Sequence, residues 1–159
     1  MRRNDREVLS QEWMLDVLRE GTYLELALCG GVGQPYVLQL NYGVGDGYLT
    51  LHGAKEGLKI DLIKANPRAA FNVTVGAEII RHPDTPSKFS CKYRSVSGHG
   101  RIRFVEDLAE KKAALELLMR HYDGPTAPMP EAMLQSLCVM VLDIAQMTGK
   151  VNRYEKPAE

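Results

Sequence analysis

The residues that could do chemistry are concentrated in one block, His52-Gly53-Ala54-Lys55-Glu56-Gly57-Leu58-Lys59. The block joins the end of a predicted strand to the start of a predicted helix, and Lys59 falls in the first helical turn. A helix N-terminus carries about half a positive charge, so a lysine there costs about 0.3–1 kcal/mol. A bound phosphate would reverse that cost, because free N–H groups at a helix N-terminus and a lysine bind phosphate together. Gly53 and Gly57 would let the backbone approach the phosphate oxygens, and His52 could donate one further hydrogen bond.

The same spacing also fits a helix start that binds no ligand. Glu56 and Asp61 could neutralise Lys55 and Lys59 at a solvated surface. A histidine at the end of a strand, such as His52, is more often a hydrogen-bonded structural residue than a ligand. The spacing alone therefore leaves a phosphate site and a solvated helix start both open.

The other chemistry-bearing side chains form no recognisable catalytic set. His99 stands between two glycines and could be a metal ligand, but no second ligand lies at a suitable spacing. No Ser–His–Asp or Cys–His arrangement stands out, and the glycines at 30–33 belong to a predicted hairpin rather than to a dinucleotide-binding turn. Hydrolysis is therefore not expected, and any redox chemistry would come from a bound cofactor.

Length and composition describe one ordinary globular domain. The chain has 159 residues, of which 45% are apolar and 25% charged, as is typical of globular proteins. Its 20 basic residues balance 20 acidic ones, whereas a general nucleic-acid-binding protein usually carries a basic excess. The longest apolar run, Leu137 to Leu142, is too short to span a bilayer, so no membrane partner is expected. Cys29, Cys91 and Cys138 are far apart, which predicts free thiols in the reducing cytoplasm.

The hydrophobic periodicity predicts antiparallel strands with helices at their margins. The predicted strands are Tyr23–Cys29, Tyr36–Tyr42, Tyr48–His52, Ala69–Val75, Tyr93–Val105 and Cys138–Ile144. Short glycine-containing turns join the first three, which makes them antiparallel neighbours and excludes a repeated strand–helix–strand layout. The predicted helices begin after Ser10, near Glu56, after Asp107 and near Glu131. Six such strands are typical of a small barrel or barrel-like sandwich.

Motifs along nearly the whole chain match the pattern of one known family. The most specific is His-x-Ala followed by Gly-x-Lys, which is formed here by His52, Ala54, Gly57 and Lys59. The supporting segments are Met1–Arg3, Asp5–Glu7, Gly33–Tyr36, Leu40–Tyr42, Asn66–Pro67, Lys92–Val96, Glu106–Asp107 and Thr148–Lys150. In these residues the chain resembles the split-barrel flavoproteins related to pyridoxamine 5′-phosphate oxidase, and among them the nitroimidazole-resistance (Nim-type) branch.

This resemblance implies a fold, a cofactor and an assembly. The fold is a six-stranded antiparallel Greek-key split barrel with flanking helices. The assembly is a homodimer with two flavin mononucleotide (FMN) sites at the subunit interface. The resemblance assigns to the FMN phosphate the residues His52, Gly53, Ala54 and Lys59. It assigns to the edge of the isoalloxazine ring Leu40, Asn41 and Tyr42. It places near the phosphate or the ribityl chain Lys92, Tyr93 and Ser95.

The implied activity is electron transfer from a reduced nicotinamide, through the flavin, to a small acceptor such as a nitroaromatic. The chain lacks the Arg-x-His segment near its C-terminus that is associated with true pyridoxamine-phosphate oxidases, so the vitamin B6 reaction is not expected. A non-enzymatic flavin- or haem-binding protein is the alternative, with His52 or His99 as a haem ligand. A deazaflavin in place of FMN also remains open.

Overall fold

The computed structural model describes residues 3–30, 33–125 and 127–156, and within them eight strands form one antiparallel sheet. The strands are β1 (Glu7–Val8), β2 (Leu24–Cys29), β3 (Pro35–Leu40), β4 (Tyr42–Val44), β5 (Tyr48–Gly53), β6 (Arg68–Ile80), β7 (Ser90–Val105) and β8 (Cys138–Asn152). The helices are α1 (Gln11–Glu20), α2 (Leu58–Ala65), α3 (Leu108–His121) and α4 (Glu131–Ser136). Among the same residues no helix is both long and apolar enough to cross a membrane.

The order of the strands forces the sheet to curl. The neighbours run β3-β2-β6-β7-β8-β5-β4, and β1 pairs with β8. The two edge strands, β3 and β4, are nevertheless consecutive in the chain and separated by Asn41 alone. A connection of one residue requires both edges to approach each other, so the sheet bends into a barrel that stays split at this point. The predicted split barrel with flanking helices is thereby confirmed.

The strand count is eight rather than the six that the sequence predicts. The predicted strand Tyr36–Tyr42 breaks at Asn41 into β3 and β4, and the short β1 adds a further strand. The hairpin of β6 and β7 is also longer than predicted. It runs through a register shift between Val75 and Glu78, so that only 81–89 remain outside the strands.

The core lies inside the barrel and is closed by α1. Ser10 caps this helix, because its hydroxyl accepts a hydrogen bond from the backbone N–H of Trp13 at 3.3 Å. Met14, Val17 and Leu18 then point into the barrel and are buried among the inward side chains of the strands. A smaller apolar cluster lies outside the barrel, where α3 and α4 pack against β7 and β8.

Tyr42 joins the split to the closing helix. Its side chain is fully buried, and its hydroxyl lies within hydrogen-bonding distance of the carbonyl oxygens of Leu18 and Gly21. Its backbone N–H donates to the hydroxyl of Tyr122 on the segment after α3, at 3.1 Å. This one residue therefore holds β4, the end of α1 and the end of α3 in fixed relation.

We expect the Tyr42→Phe variant to lose about 1–3 kcal/mol of unfolding free energy, because the carbonyl groups at the end of α1 lose a buried donor. Urea denaturation followed by tryptophan fluorescence measures this loss. Tyr23→Phe is the matched control, since Tyr23 is exposed and its hydroxyl makes no hydrogen bond with any residue that the structure describes. Equal stability of the two variants would contradict the role of the Tyr42 hydroxyl.

Candidate functional site

The strand-to-helix junction that the sequence singles out presents unpaired backbone donors. β5 ends at Gly53, and α2 begins at Leu58 after a turn in which Gly57 has a φ of 106°, a conformation that favours glycine. The Gly57 carbonyl accepts the N–H groups of Ile60 and Asp61, and no side chain caps the helix. The N–H groups of Leu58 and Lys59 thus find no acceptor within the described part of the chain.

Lys59 folds back over the end of β5. Its Nζ lies so close to the backbone of Gly53 that a Cβ atom at that position would collide with it. Glycine at position 53 therefore leaves the space that the ammonium group occupies. Burial lowers the pKa of Lys59, and the charge that Cys138 carries when ionised partly opposes this effect.

His52, near the end of β5, lies close enough to Lys59 to feel the charge of its ammonium group. Burial lowers the pKa of His52, and the charge of Lys59 lowers it further. Neither side chain has a hydrogen bond or ion pair in the portions of the chain that the structure describes, and neither do Lys55 and Glu56. No direct ion pair joins Glu56 or Asp61 to Lys55 or Lys59 among the described residues. The junction instead combines two free N–H groups, an ammonium group and an imidazole, a donor set that suits an anion.

The second predicted group, Leu40–Tyr42, lies at the split between β3 and β4. Leu40 is half-buried and packs against the core, whereas Asn41 is exposed. The hydroxyl of Tyr42 is hydrogen-bonded to the carbonyl of Leu18, and its backbone N–H is hydrogen-bonded to the hydroxyl of Tyr122. A ligand at the split would therefore meet Asn41 and the backbone of Leu40, while the Tyr42 side chain faces away from it.

The third predicted group, Lys92, Tyr93 and Ser95, lies far from the junction on the same chain. Tyr93 pairs with Asn152 of β8, whereas His52 pairs with Val139, thirteen residues earlier on the same strand. Thirteen residues of extended strand have a contour length of about 40 Å along β8. Within this third group, the Lys92 ammonium lies 4.0 Å from the centre of the Tyr154 ring and Ser95 is buried. Within one chain, the third group therefore pairs near the opposite end of β8 from the position where His52 pairs.

Cys138 belongs to the junction although the sequence pattern did not indicate it. It pairs with Gly53 across β5 and β8, and the nearby charges of Lys59 and Lys111 lower its pKa against the larger opposing effect of burial. The local sequence does not predict this contact, because Cys138 follows Gly53 by more than eighty residues. Only the pairing of the two strands reveals it.

A groove of about 700 Å³ lies elsewhere, on the outer face of the sheet. Its floor carries the small side chains of Ala27, Ala70 and Ala145, and its rim includes His99 and Arg101. Among the described residues, no group of three His, Cys, Asp or Glu side chains is placed to hold a metal ion. His99 thus stands at the rim of an open groove without other metal ligands around it.

Comparison with known proteins adds to this geometry. The profile of the family described as pyridoxamine 5′-phosphate oxidase matches residues 10–151. A candidate 5-nitroimidazole antibiotic resistance protein from Bacteroides thetaiotaomicron VPI-5482 is 25% identical, over 91% of this chain and 86% of that one, with a TM-score of 0.82. An FAD-binding protein from Mesorhizobium loti is 26% identical, over 91% of this chain and 96% of that one, with a TM-score of 0.64.

A more distant structure shares the fold alone. The FAD and haem binding protein from Mycobacterium smegmatis is 19% identical, over 97% of this chain and 77% of that one, with a TM-score of 0.82. No curated protein sequence matches the chain.

We expect the imidazole of His52 to titrate below its ordinary pKa of about 6.5, because burial and Lys59 both lower its pKa. The folded state then binds this proton more weakly than the unfolded chain does. The contribution of His52 to the free energy of unfolding should therefore fall as the pH drops through about 6.5. NMR titration of the imidazole nitrogens measures the midpoint directly.

The Lys59→Ala variant should raise this midpoint only part of the way, since burial is the larger cause. Lys88→Ala, which removes an exposed charge from the segment between β6 and β7, is the control and should leave the midpoint unchanged. A His52 midpoint at or above 6.5 in the wild type would contradict the geometry described here.

Proposed function

The chain belongs to the pyridoxamine 5′-phosphate oxidase family, and we propose that it is a flavin-binding oxidoreductase that holds FMN by its phosphate at the start of α2. The observation that carries this proposal is the donor set at the junction. Two free backbone N–H groups, the Lys59 ammonium and the His52 imidazole lie together without a carboxylate partner.

The junction fits a phosphate in shape as well as in charge. Gly53 keeps the end of β5 free of a side chain, and Gly57 turns the chain so that α2 begins with its N–H groups uncapped. Ala54 is small and exposed on the same turn. In this proposal Lys59 and the two N–H groups bind the phosphate, and His52 donates a further hydrogen bond.

The flavin ring would lie along the split between β3 and β4. Asn41 and the backbone of Leu40 are the groups of this chain that would face the ring edge. Tyr42 would not contact the ring, but its core hydrogen bonds would hold β4 in position. A bound flavin would supply the redox chemistry, since flavins accept hydride from a reduced nicotinamide and pass electrons to acceptors such as nitroaromatics. The nitroimidazole-resistance description of one solved relative and the FAD-binding description of another support this chemistry.

The protein would work as a homodimer with the flavin between its subunits. Helices α3 and α4 cover only one part of the outer face of the sheet. The uncovered part includes Val37, which is 61% exposed, and a groove lined by alanines together with Arg68, His99 and Arg101. Lys92, Tyr93 and Ser95 lie about 40 Å along β8 from the His52 pairing position. A twin subunit would cover the open face and could bring its own copies of these three residues to the junction.

We expect an isologous dimer with an interface above about 2,000 Å² in total, the size of an obligate contact. Light scattering at micromolar concentration should return twice the mass of the chain. A mass near 17.8 kDa would contradict the dimer and, with it, a site shared between subunits.

The Lys59→Ala variant should bind FMN about 1.5–3 kcal/mol more weakly, the value of a hydrogen bond to a charged group. Riboflavin, which lacks the phosphate, should bind the variant and the wild type equally. Quenching of flavin fluorescence gives both affinities, and Lys64→Ala should retain the wild-type affinity for FMN. Unchanged FMN binding in Lys59→Ala would remove Lys59 from the site.

The redox proposal is tested by anaerobic bleaching of the flavin absorption band. NADH or NADPH should bleach it, and a nitroaromatic acceptor should restore it. The Cys29→Ser, Cys91→Ser and Cys138→Ser variants should each retain turnover, because the electrons pass through the flavin rather than through a thiol. Bleaching by dithionite but by neither nicotinamide would contradict the proposed donor.

A second candidate is a non-enzymatic flavin- or haem-binding protein. The placement of His99 on the rim of a 700 Å³ groove favours it, since an accessible imidazole can serve as an axial ligand. An intense Soret band in the purified protein, which the His99→Ala variant loses, would support this candidate over the oxidoreductase.

A further inference from the structure

A small cavity beside the junction carries more positive charge than one phosphate requires. It has a volume of about 230 Å³ and lies between the turn after β5, helix α2, the end of β7 and helix α3. Lys55, Lys64 and Lys111 line it, and Glu106 is the one acidic side chain among its lining residues. The lining thus combines three ammonium groups with one carboxylate.

These charges are not neutralised by one another. Lys55, Lys64 and Glu106 are exposed to solvent and make no hydrogen bond or ion pair with any residue that the structure describes. Lys111 is only 5% exposed, and its ammonium group donates to the carbonyl oxygens of Leu134 and Leu137 at 3.5 and 3.3 Å. Those carbonyls end α4 and favour a cation, but none of its partners is an anion. Keeping a buried ammonium without a counter-charge is costly, and an anion in the cavity would offset that cost.

The cavity adjoins the phosphate position proposed above. Cys138 lines it and pairs directly with Gly53, over which the Lys59 ammonium lies. Lys55 and Lys64 come from the turn and the helix that flank Lys59 on either side. The volume is below the range of about 300–1,000 Å³ that is usual for a whole small-molecule site. A cavity of this size suits one group of a ligand whose other parts are held outside it.

We propose that this cavity binds a second phosphoryl group next to the flavin phosphate, with Lys64 and Lys111 as its ligands and Glu106 as an opposing charge. This inference rests on the proposed function, because it takes the first phosphate as held at Lys59. The second phosphoryl group has two possible sources. In a dinucleotide flavin such as FAD it is bonded directly to the first phosphate, and otherwise it is a free phosphate ion, which has the same chemistry.

The test compares FAD, FMN and riboflavin by fluorescence titration against the wild type and three variants. For the dinucleotide source, wild-type protein should bind FAD about tenfold more tightly than FMN. Lys64→Ala should weaken FAD binding about two- to fivefold, as expected for a partly solvated charge, and leave FMN binding unchanged. Glu106→Gln should change FAD affinity in the opposite direction, since it removes the one negative charge.

The matched control is Lys112→Ala, which makes the same change of charge one residue from Lys111, at an exposed position paired with Glu116. It should leave the binding of both flavins unchanged. For the free-ion source, FAD and FMN should bind equally, and millimolar inorganic phosphate should raise the melting temperature of FMN-loaded wild type more than that of Lys64→Ala.

Two outcomes overturn this inference in different ways. Equal binding of FAD and FMN, with no phosphate effect that depends on Lys64, overturns the second phosphoryl site and leaves the flavin proposal intact. Failure of all three flavins to bind overturns the proposed function and the second site together.

Discussion

The single residue between β3 and β4 is the constraint on which the architecture depends. Antiparallel pairing alone would allow an open sheet, but Asn41 leaves no length for its two edges to stay apart. The resulting curl creates an interior that α1 closes, and the hydroxyl of Tyr42 fastens that helix at the place where the edges meet.

Near Gly53, at the end of β5, the fold holds basic side chains close together without carboxylate partners, which is electrostatically unfavourable. His52, Lys59 and Lys111 are all at least partly withdrawn from water, and none has a carboxylate partner among the described residues. Surface ion pairs elsewhere, such as that between Arg103 and Glu110, show that the chain forms such pairs where it carries suitable residues. The unneutralised charge of Lys59 and Lys111 therefore disfavours folding in this region and favours an anion there.

Sequence reasoning reached the local parts of this arrangement and missed the parts that depend on strand pairing. The glycines around Lys59 and the apolar periods of the strands are local signals, and they predicted the strand-to-helix junction and the positions of the main strands. The break at Asn41 was missed because a one-residue interruption barely disturbs the alternation of side chains. The contact of Gly53 with Cys138 was missed because it follows from the register of β5 on β8. The separation of Tyr93 from His52 likewise follows from register and from the length of β8.

The position of β8 in the sheet has a consequence for how the chain is made. β8 pairs with β1, β5 and β7, so without it the sheet separates into a four-stranded part, a two-stranded part and the isolated β1. It is also the last of the eight strands to leave the ribosome. Until residues 138–152 have emerged, the interior faces of the earlier strands stay uncovered and prone to association with other chains. Closure of the barrel is therefore a late event of synthesis, and the nascent chain must stay soluble without its central strand.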